Sequence, residues 1–174
     1  MQQFVVLLKG VNVGGKNLLP MKDFVALLML SKFENVSSYI QSGNIVLKSK
    51  IPPADAVQAT IAEHYGFSPE VFSLNEAEFT SAVDGNPYAE FEGKFVHFYF
   101  CKNDINLVTD KLTKYLADSE KYTVKGNVFY LHAPNGIGRS KLIANIESCL
   151  GQTATGRNLN TINKLGIMLN NLAN

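Results

Sequence analysis

The sequence predicts an α+β fold built from two tandem ferredoxin-like (split βαβ) subdomains, each ordered βαββαβα, with antiparallel sheets carrying helices on one face. Three observations lead to it. Apolar strand-like runs alternate with stretches of helical periodicity, short polar turns join some of the strands directly, as antiparallel hairpins require, and the order of elements in residues 1–85 returns in residues 86–174. Those two spans are the expected subdomains.

In chain order, residues 4–9 are apolar and β-branched enough for a buried strand, and apolar residues recur at helical spacing over 21–31. Val36–Gln41 and Asn44–Lys48 read as strands of a hairpin turning at Ser42-Gly43. Pro52-Pro53 introduces a helix to Tyr65, stopped by Gly66. A short strand at 71–74 precedes a helix at 76–83 with Asn75 as its cap. After the turn-rich Asp84-Gly85-Asn86-Pro87, the pattern gives a strand at 94–101, a helix at 106–117, strands at 122–124 and 127–131 around Lys125-Gly126, and helices at 140–150 and 161–172.

The repeat extends to residues. Tyr39-Ile-Gln-Ser-Gly-Asn44 lies 83 positions before Tyr122-Thr-Val-Lys-Gly-Asn127, and Gly66 and Leu74-Asn75 lie 85 before Gly151 and Leu159-Asn160. Each sheet then has an open face to cover, by the other half, by an extra helix or by a second chain, so a homodimer is among the expected assemblies.

Composition narrows the function classes. The 174 residues are 46% hydrophobic with a formal net charge of +1, which describes a folded domain and argues against a strongly basic nucleic-acid binder. The charge is uneven: residues 1–50 sum to +4, 51–135 to −6 and 136–174 to +3. The apolar run at the N-terminus stops at Lys9, short of a signal sequence or a membrane span, and predicts a cytoplasmic protein without membrane contact. Cys101 and Cys149 lack metal-ligand spacing and read as two reduced, buried thiols; no metal site is indicated, and the cofactor stays open.

The positive segments also hold the unusual loops. Comparing the halves leaves eight surplus residues between first strand and first helix of the N-terminal one, in Lys9-Gly-Val-Asn-Val-Gly-Gly-Lys-Asn17 and the residues up to Pro20. A loop of this length is usually functional, and its glycines, lysines and asparagines suit close approach by an anion. The stretch fits G-x-x-x-x-G-K, yet Asn17 stands where a magnesium-ligating hydroxyl belongs, and Pro20 starts the helix too late to include Lys16. A nucleotide-hydrolysing loop is therefore set aside in favour of a plain anion site at Lys9, Asn12, Gly14, Gly15, Lys16 and Asn17, with Gln41 and Asn44 as a polar edge. In the C-terminal half, Arg139 and Lys141 flank Ser140 at one expected helix start and Arg157-Asn158 precede another, so both pairs join the candidate set.

Catalytic signals are sparse. His64, His97 and His132 have no Ser, Cys or Asp partner at an interpretable spacing, and Glu90, Glu92, Asp104 and Asp110 form no recognisable pair. Phe95, Phe98, Tyr99 and Phe100 lack the rest of an RNA-binding sheet pattern and read as core. No base or nucleophile is nominated, which leaves open whether the protein is an enzyme.

Leu8–Asn17 with Pro20-Met21, then Tyr39–Asn44, Asn86-Pro87, Ser140-Lys141-Leu142, Thr155–Asn158 and Asn160-Thr161 together resemble the bacterial domain-of-unknown-function family 1697 along nearly the whole chain. Lys9 stands where Arg is common in that family and Leu159 where an aromatic residue is common; Lys at position 9 keeps the charge without the bidentate fork. The resemblance implies a duplicated α+β protein and brings no activity, substrate or cofactor. The expected function is binding of a phosphorylated or otherwise anionic small molecule, a nucleotide among the options. A nucleic-acid-binding or regulatory module is second, and a protein-interaction module without ligand chemistry third.

Overall fold

A computed structural model of the chain describes residues 1–172. It is an α+β protein with two four-stranded antiparallel sheets and two compact units: one is Met1–Ser81 with the chain from Asn163 onward, the other Ala82–Ile162.

The first unit contains β1 (Gln2–Leu8), α1 (Met21–Met29), β2 (Glu34–Tyr39), β3 (Asn44–Ser49), α2 (Ala54–Tyr65), β4 (Val71–Asn75) and α3 (Glu76–Asp84), the last ending inside the second unit. Its sheet runs β2-β3-β1-β4, with Val6 opposite Ile45 on one side and Ser73 on the other. Phe4, Val6 and Leu8 alternate onto the face that packs with Phe24 and Leu28 of α1 and with Val57 and Ile61 of α2. Val5 and Leu7 point the other way and are also fully buried. That explains why β1 reads as an unbroken apolar run rather than an alternating one. Gly66 closes α2 at φ +79, as its position after Tyr65 requires. Asn75 and Glu78 form a reciprocal capping box on α3, each side chain accepting from the other's backbone N–H at 2.8 Å.

The second unit contains β5 (Val96–Phe100), α4 (Thr109–Tyr115), β6 (Lys121–Lys125), β7 (Val128–His132), α5 (Lys141–Ala144), α6 (Ile146–Leu150) and β8 (Thr155–Asn158), followed by the start of α7 (Leu159–Leu172). The sheet order is β6-β7-β5-β8, the same path as in the first unit. Tyr99, Cys101, Phe129 and Leu131 face Leu112, Leu142, Ile146 and Leu150 of the helices. Phe98, Phe100, Val128 and Tyr130 lie on the opposite face and are buried as well, so both faces of both sheets find cover within one chain.

Four elements depart from expectation. The first hairpin turns through four residues, Ile40–Gly43, and not two: Ile40 and Gly43 take positive φ, and the Asn44 amide closes the turn on the Tyr39 carbonyl at 3.1 Å. The second hairpin turns through Gly126-Asn127 alone, so the 83-residue spacing of the two motifs does not carry through into register. The helix expected over 140–150 breaks at Asn145, whose side chain takes the Lys141 carbonyl at 2.8 Å. Thr155–Asn158, given no strand between the helices expected at 140–150 and 161–172, is the edge strand β8, its Thr155 and Arg157 turned inward.

Gly43 sits at φ +86, and a Cβ there would lie 2.6 Å from Leu8 Cβ and 2.9 Å from Val11 Cγ2, whereas Gly66 has open space around it. Gly66→Ala is therefore expected to cost about 1 kcal/mol, the left-handed backbone penalty alone. Gly43→Ala adds a clash with packed side chains and is expected to cost roughly 3 kcal/mol, read from urea unfolding midpoints.

Candidate functional site

Residues 9–20 form a small stapled hairpin. The Asn12 and Lys16 N–H groups donate to the Asn17 and Val13 carbonyls, both at 3.0 Å, and Gly14 and Gly15 carry positive φ at the tip. Two successive positive φ values are what a type I′ turn demands, which explains the pair of glycines without a phosphate. The Asn12 amide, on a backbone at φ 56, donates to the Leu19 carbonyl at 2.9 Å and the Gln41 carbonyl at 2.7 Å, while its oxygen accepts from Leu19 N–H at 2.7 Å. Asn17 donates to the Gly10 carbonyl at 3.2 Å. Buried Val11 and Leu19 anchor the two stems, and every residue from Val13 to Leu18 is exposed.

The structure thus brings together the sequence-nominated residues of the first unit and divides their roles. Asn12, Asn17 and Asn44 hold the loop and its neighbouring turn; Asn44 is fully buried and donates to Ser42 Oγ at 2.8 Å. Lys16 and the backbone of Gly14 and Gly15 are presented outward, Lys9 is half-buried at the stem, and Gln41 is exposed on the adjoining turn. Lys16 lies ahead of α1, outside its first turn.

In the second unit, Ser140 caps α5 by accepting from Ile143 N–H at 3.2 Å and donates to the Glu120 carboxylate at 2.6 Å. Glu120 also accepts from Ala117 N–H at 2.8 Å and is buried. A carboxylate from the chain itself therefore stands beneath exposed Arg139 and Lys141. Arg157 is buried, donates to Thr155 Oγ1 at 2.7 Å and to the Gly156 carbonyl at 2.8 Å, and burial pulls its pKa down to about 10. It pairs in register with Phe98, on the sheet face away from α5, whereas Asn158 pairs with His97 on the helix-bearing face. The sheet thus separates Arg157 from the Arg139 and Lys141 pair.

Sequence reasoning missed Glu120 and set His97 aside. A lone acid before a strand carries no pattern, and His97 looks like any alternating core position. Burial lowers the pKa of His97 and of His132, and Lys121 lowers His132 further. His132 stacks on Phe91 at 3.9 Å between ring centres. Among the described residues no group of three or more His, Cys, Asp or Glu is placed to hold a metal ion, and no helix is long and apolar enough to cross a membrane.

Asn12→Ala removes three hydrogen bonds at once and is expected to destabilise by about 2–3 kcal/mol. Amide exchange at Leu19 checks the mechanism, since its protection should be lost first. The histidines set a pH dependence with a definite sign. With folded pKa values below the free-chain value of about 6.5, the native state binds fewer protons, so stability is retained above that pH and falls as pH drops below it. Urea midpoints at pH 7.5 and 5.5 should differ in that direction, and by less in His97→Leu.

The comparisons with known proteins follow this geometry. A family described as protein of unknown function, DUF1697, matches residues 1–130. The solved structure of conserved bacterial protein SP0830 from Streptococcus pneumoniae is similar with a TM-score of 0.72 and 25% sequence identity, covering 97% of this chain and 98% of that one. No curated protein matches the chain in sequence. With three quarters of its length matched, the chain belongs to the DUF1697 family of proteins of unknown function.

Proposed function

We propose that the protein binds a phosphorylated or otherwise anionic small molecule, with a nucleotide among the forms it would take, at the stapled loop Lys9–Asn17. The observation that carries this reading is the Asn12 staple: three hydrogen bonds fix a loop whose exposed tip offers one lysine and two glycine amides. A plain connection has no need of such fixing, and a preordered cationic tip spares a ligand the entropy of ordering it. Gln41 supplies an adjoining amide. Arg139 and Lys141 form a separate cationic stretch, and the reading includes no chemical step.

One observation favours nucleic acid as a second reading. Small-molecule sites are concave, while Val13 to Leu18 are all exposed, as on a projecting finger. The reading also takes the two units as a duplicated ferredoxin-like subdomain, divided near 85/86, in a cytoplasmic protein. The shared strand order, the left-handed glycines 66 and 151 after α2 and α6, and two free buried cysteines support this. A homodimer through open sheet faces is not part of it, because those faces are buried in one chain.

Amide spectra of the full chain titrated with inorganic phosphate, pyrophosphate, adenosine triphosphate and a short single-stranded RNA test the proposal. Shifts at Gly14, Gly15 and Lys16 are expected, with affinity about tenfold weaker in Lys16→Ala, the equivalent of ~1.4 kcal/mol. RNA binding that falls steeply with salt would select the second reading. Unmoved loop resonances with every probe would sink both.

A further inference from the structure

In the turn that joins β2 to β3, the backbone and the side chain at position 40 disagree. Among the described residues four non-glycines take positive φ, and three of them, Asn12, Asn17 and Asn35, are asparagines, which tolerate that conformation. The fourth is Ile40 at φ 49, where a β-branched side chain is an outlier. The turn is held in this shape from three sides. Leu8 N–H donates to the Gly43 carbonyl at 2.9 Å, the Asn12 amide to the Gln41 carbonyl at 2.7 Å and the Asn44 amide to the Tyr39 carbonyl at 3.1 Å. Burial does not account for isoleucine, because the residue is 50% exposed. In the second unit the matching hairpin gives its positive φ to Gly126. Strain that the surroundings impose in this way clusters at ligand sites.

The stapled loop borders this turn. Asn12 Nδ2 donates to both the Leu19 and the Gln41 carbonyls, at 2.9 and 2.7 Å, so the residues next to Leu18 and to Ile40 are drawn to one atom. Leu18 is 65% exposed, and Val13, bridged to Lys16 across the tip, is 63% exposed. Cations stand among these aliphatic groups. Lys16 is exposed at the tip, and Lys164 Nζ lies 5.9 Å from the ring centre of Tyr39, the residue before Ile40.

We propose that the anion taken by the stapled loop is amphiphilic, a phosphate bearing an alkyl chain, with its charge at Lys16 and its chain against Leu18, Ile40 and Val13. This rests on the anion-binding reading of Lys9–Asn17 and narrows it. The side chains select the class. All three are aliphatic, so they gain by covering hydrocarbon, and none offers a ring on which a nucleic-acid base would stack. A lysine holds phosphate as a point charge without fixing its orientation, which leaves the rest of the ligand free to turn toward the aliphatic groups. The strain at Ile40 then keeps an apolar side chain beside the ligand, at a position that asparagine or glycine would fill more easily.

Titration of the full chain with inorganic phosphate and with methyl, butyl and octyl phosphate, below micelle-forming concentration, tests this through the amide signals of Gly14, Gly15 and Lys16. Affinity is expected to rise about threefold for each methylene that reaches the aliphatic side chains, and octyl phosphate should also shift the methyl signals of Leu18 and Ile40. The rise with chain length should flatten in Ile40→Asn and in Leu18→Ser. Ile40→Asn should keep Tm within about 3 °C of the wild type, since asparagine relieves the backbone as it gives up the apolar contact. Phosphate binding with equal affinity at every chain length overturns the proposal and leaves the anion-binding reading standing, whereas no shift with any probe overturns both. A Tm lower by more than about 6 °C in Ile40→Asn would mean that packing retains the isoleucine, and that result also overturns the proposal.

Discussion

The central strands β1 and β5 are buried on both faces, and most of the architecture answers that constraint. A strand so placed has no polar side to give to solvent, so helices must cover one face and further apolar surface the other. Val5, Val6, Leu7 and Leu8 are each fully buried, as are Val96 and Phe98 in the second unit. With about 25 cal/mol per Å² of apolar surface removed from water, this double layer is the main source of stability available to a chain without disulfides or metal clusters among its described residues. It also makes the strand ends stiff. Leu8 donates to the Gly43 carbonyl at 2.9 Å, so the loop that leaves β1 departs from a fixed point.

That stiffness is handed to the loop by asparagine. Asn12 and Asn17 tolerate left-handed backbone better than other residues with side chains, and each then spends its amide on a carbonyl of the same loop or the next turn. The Lys16 side chain, by contrast, is exposed at the tip. The division of labour separates what a substitution does to shape from what it does to binding. In the second unit two charged groups are turned inward, Glu120 against Ser140 and the side chain of Arg157 from β8 itself.

Much of the fold was legible because it rests on local signals. Apolar runs, the Gly66 stop and the Asn75 cap each act within a few residues, and the two sheets with their common strand order follow from them. The illegible parts are those decided by distant partners. Thr155-Gly-Arg-Asn158 has the composition of a loop and becomes a strand because β5 offers it an edge. Asn145 looks like an ordinary helix residue until its amide takes a carbonyl of the preceding turn. For the candidate site, the loop was visible from its length and glycines, but the bracing role of its asparagines was not, because their partners are carbonyls seven or more residues away. Arg157 was placed with Arg139 because sequence does not say which face of a sheet a residue takes. That depends on pairing register, and one step along β8 exchanges Arg157 for Asn158.

The strand β6 carries a consequence for behaviour at high concentration. It is an edge strand with Lys121 and Lys125 at its two ends, both exposed, and Tyr122 stacked on Phe129 within its own sheet at 5.5 Å. Were two molecules to extend their sheets by joining these edges antiparallel about Thr123, each Lys121 would meet the other molecule's Lys125. Like charges held at that spacing oppose the pairing. The free edge therefore works as a guard against self-templated growth, and the protein keeps an unpaired row of backbone groups without inviting its own copies to complete it.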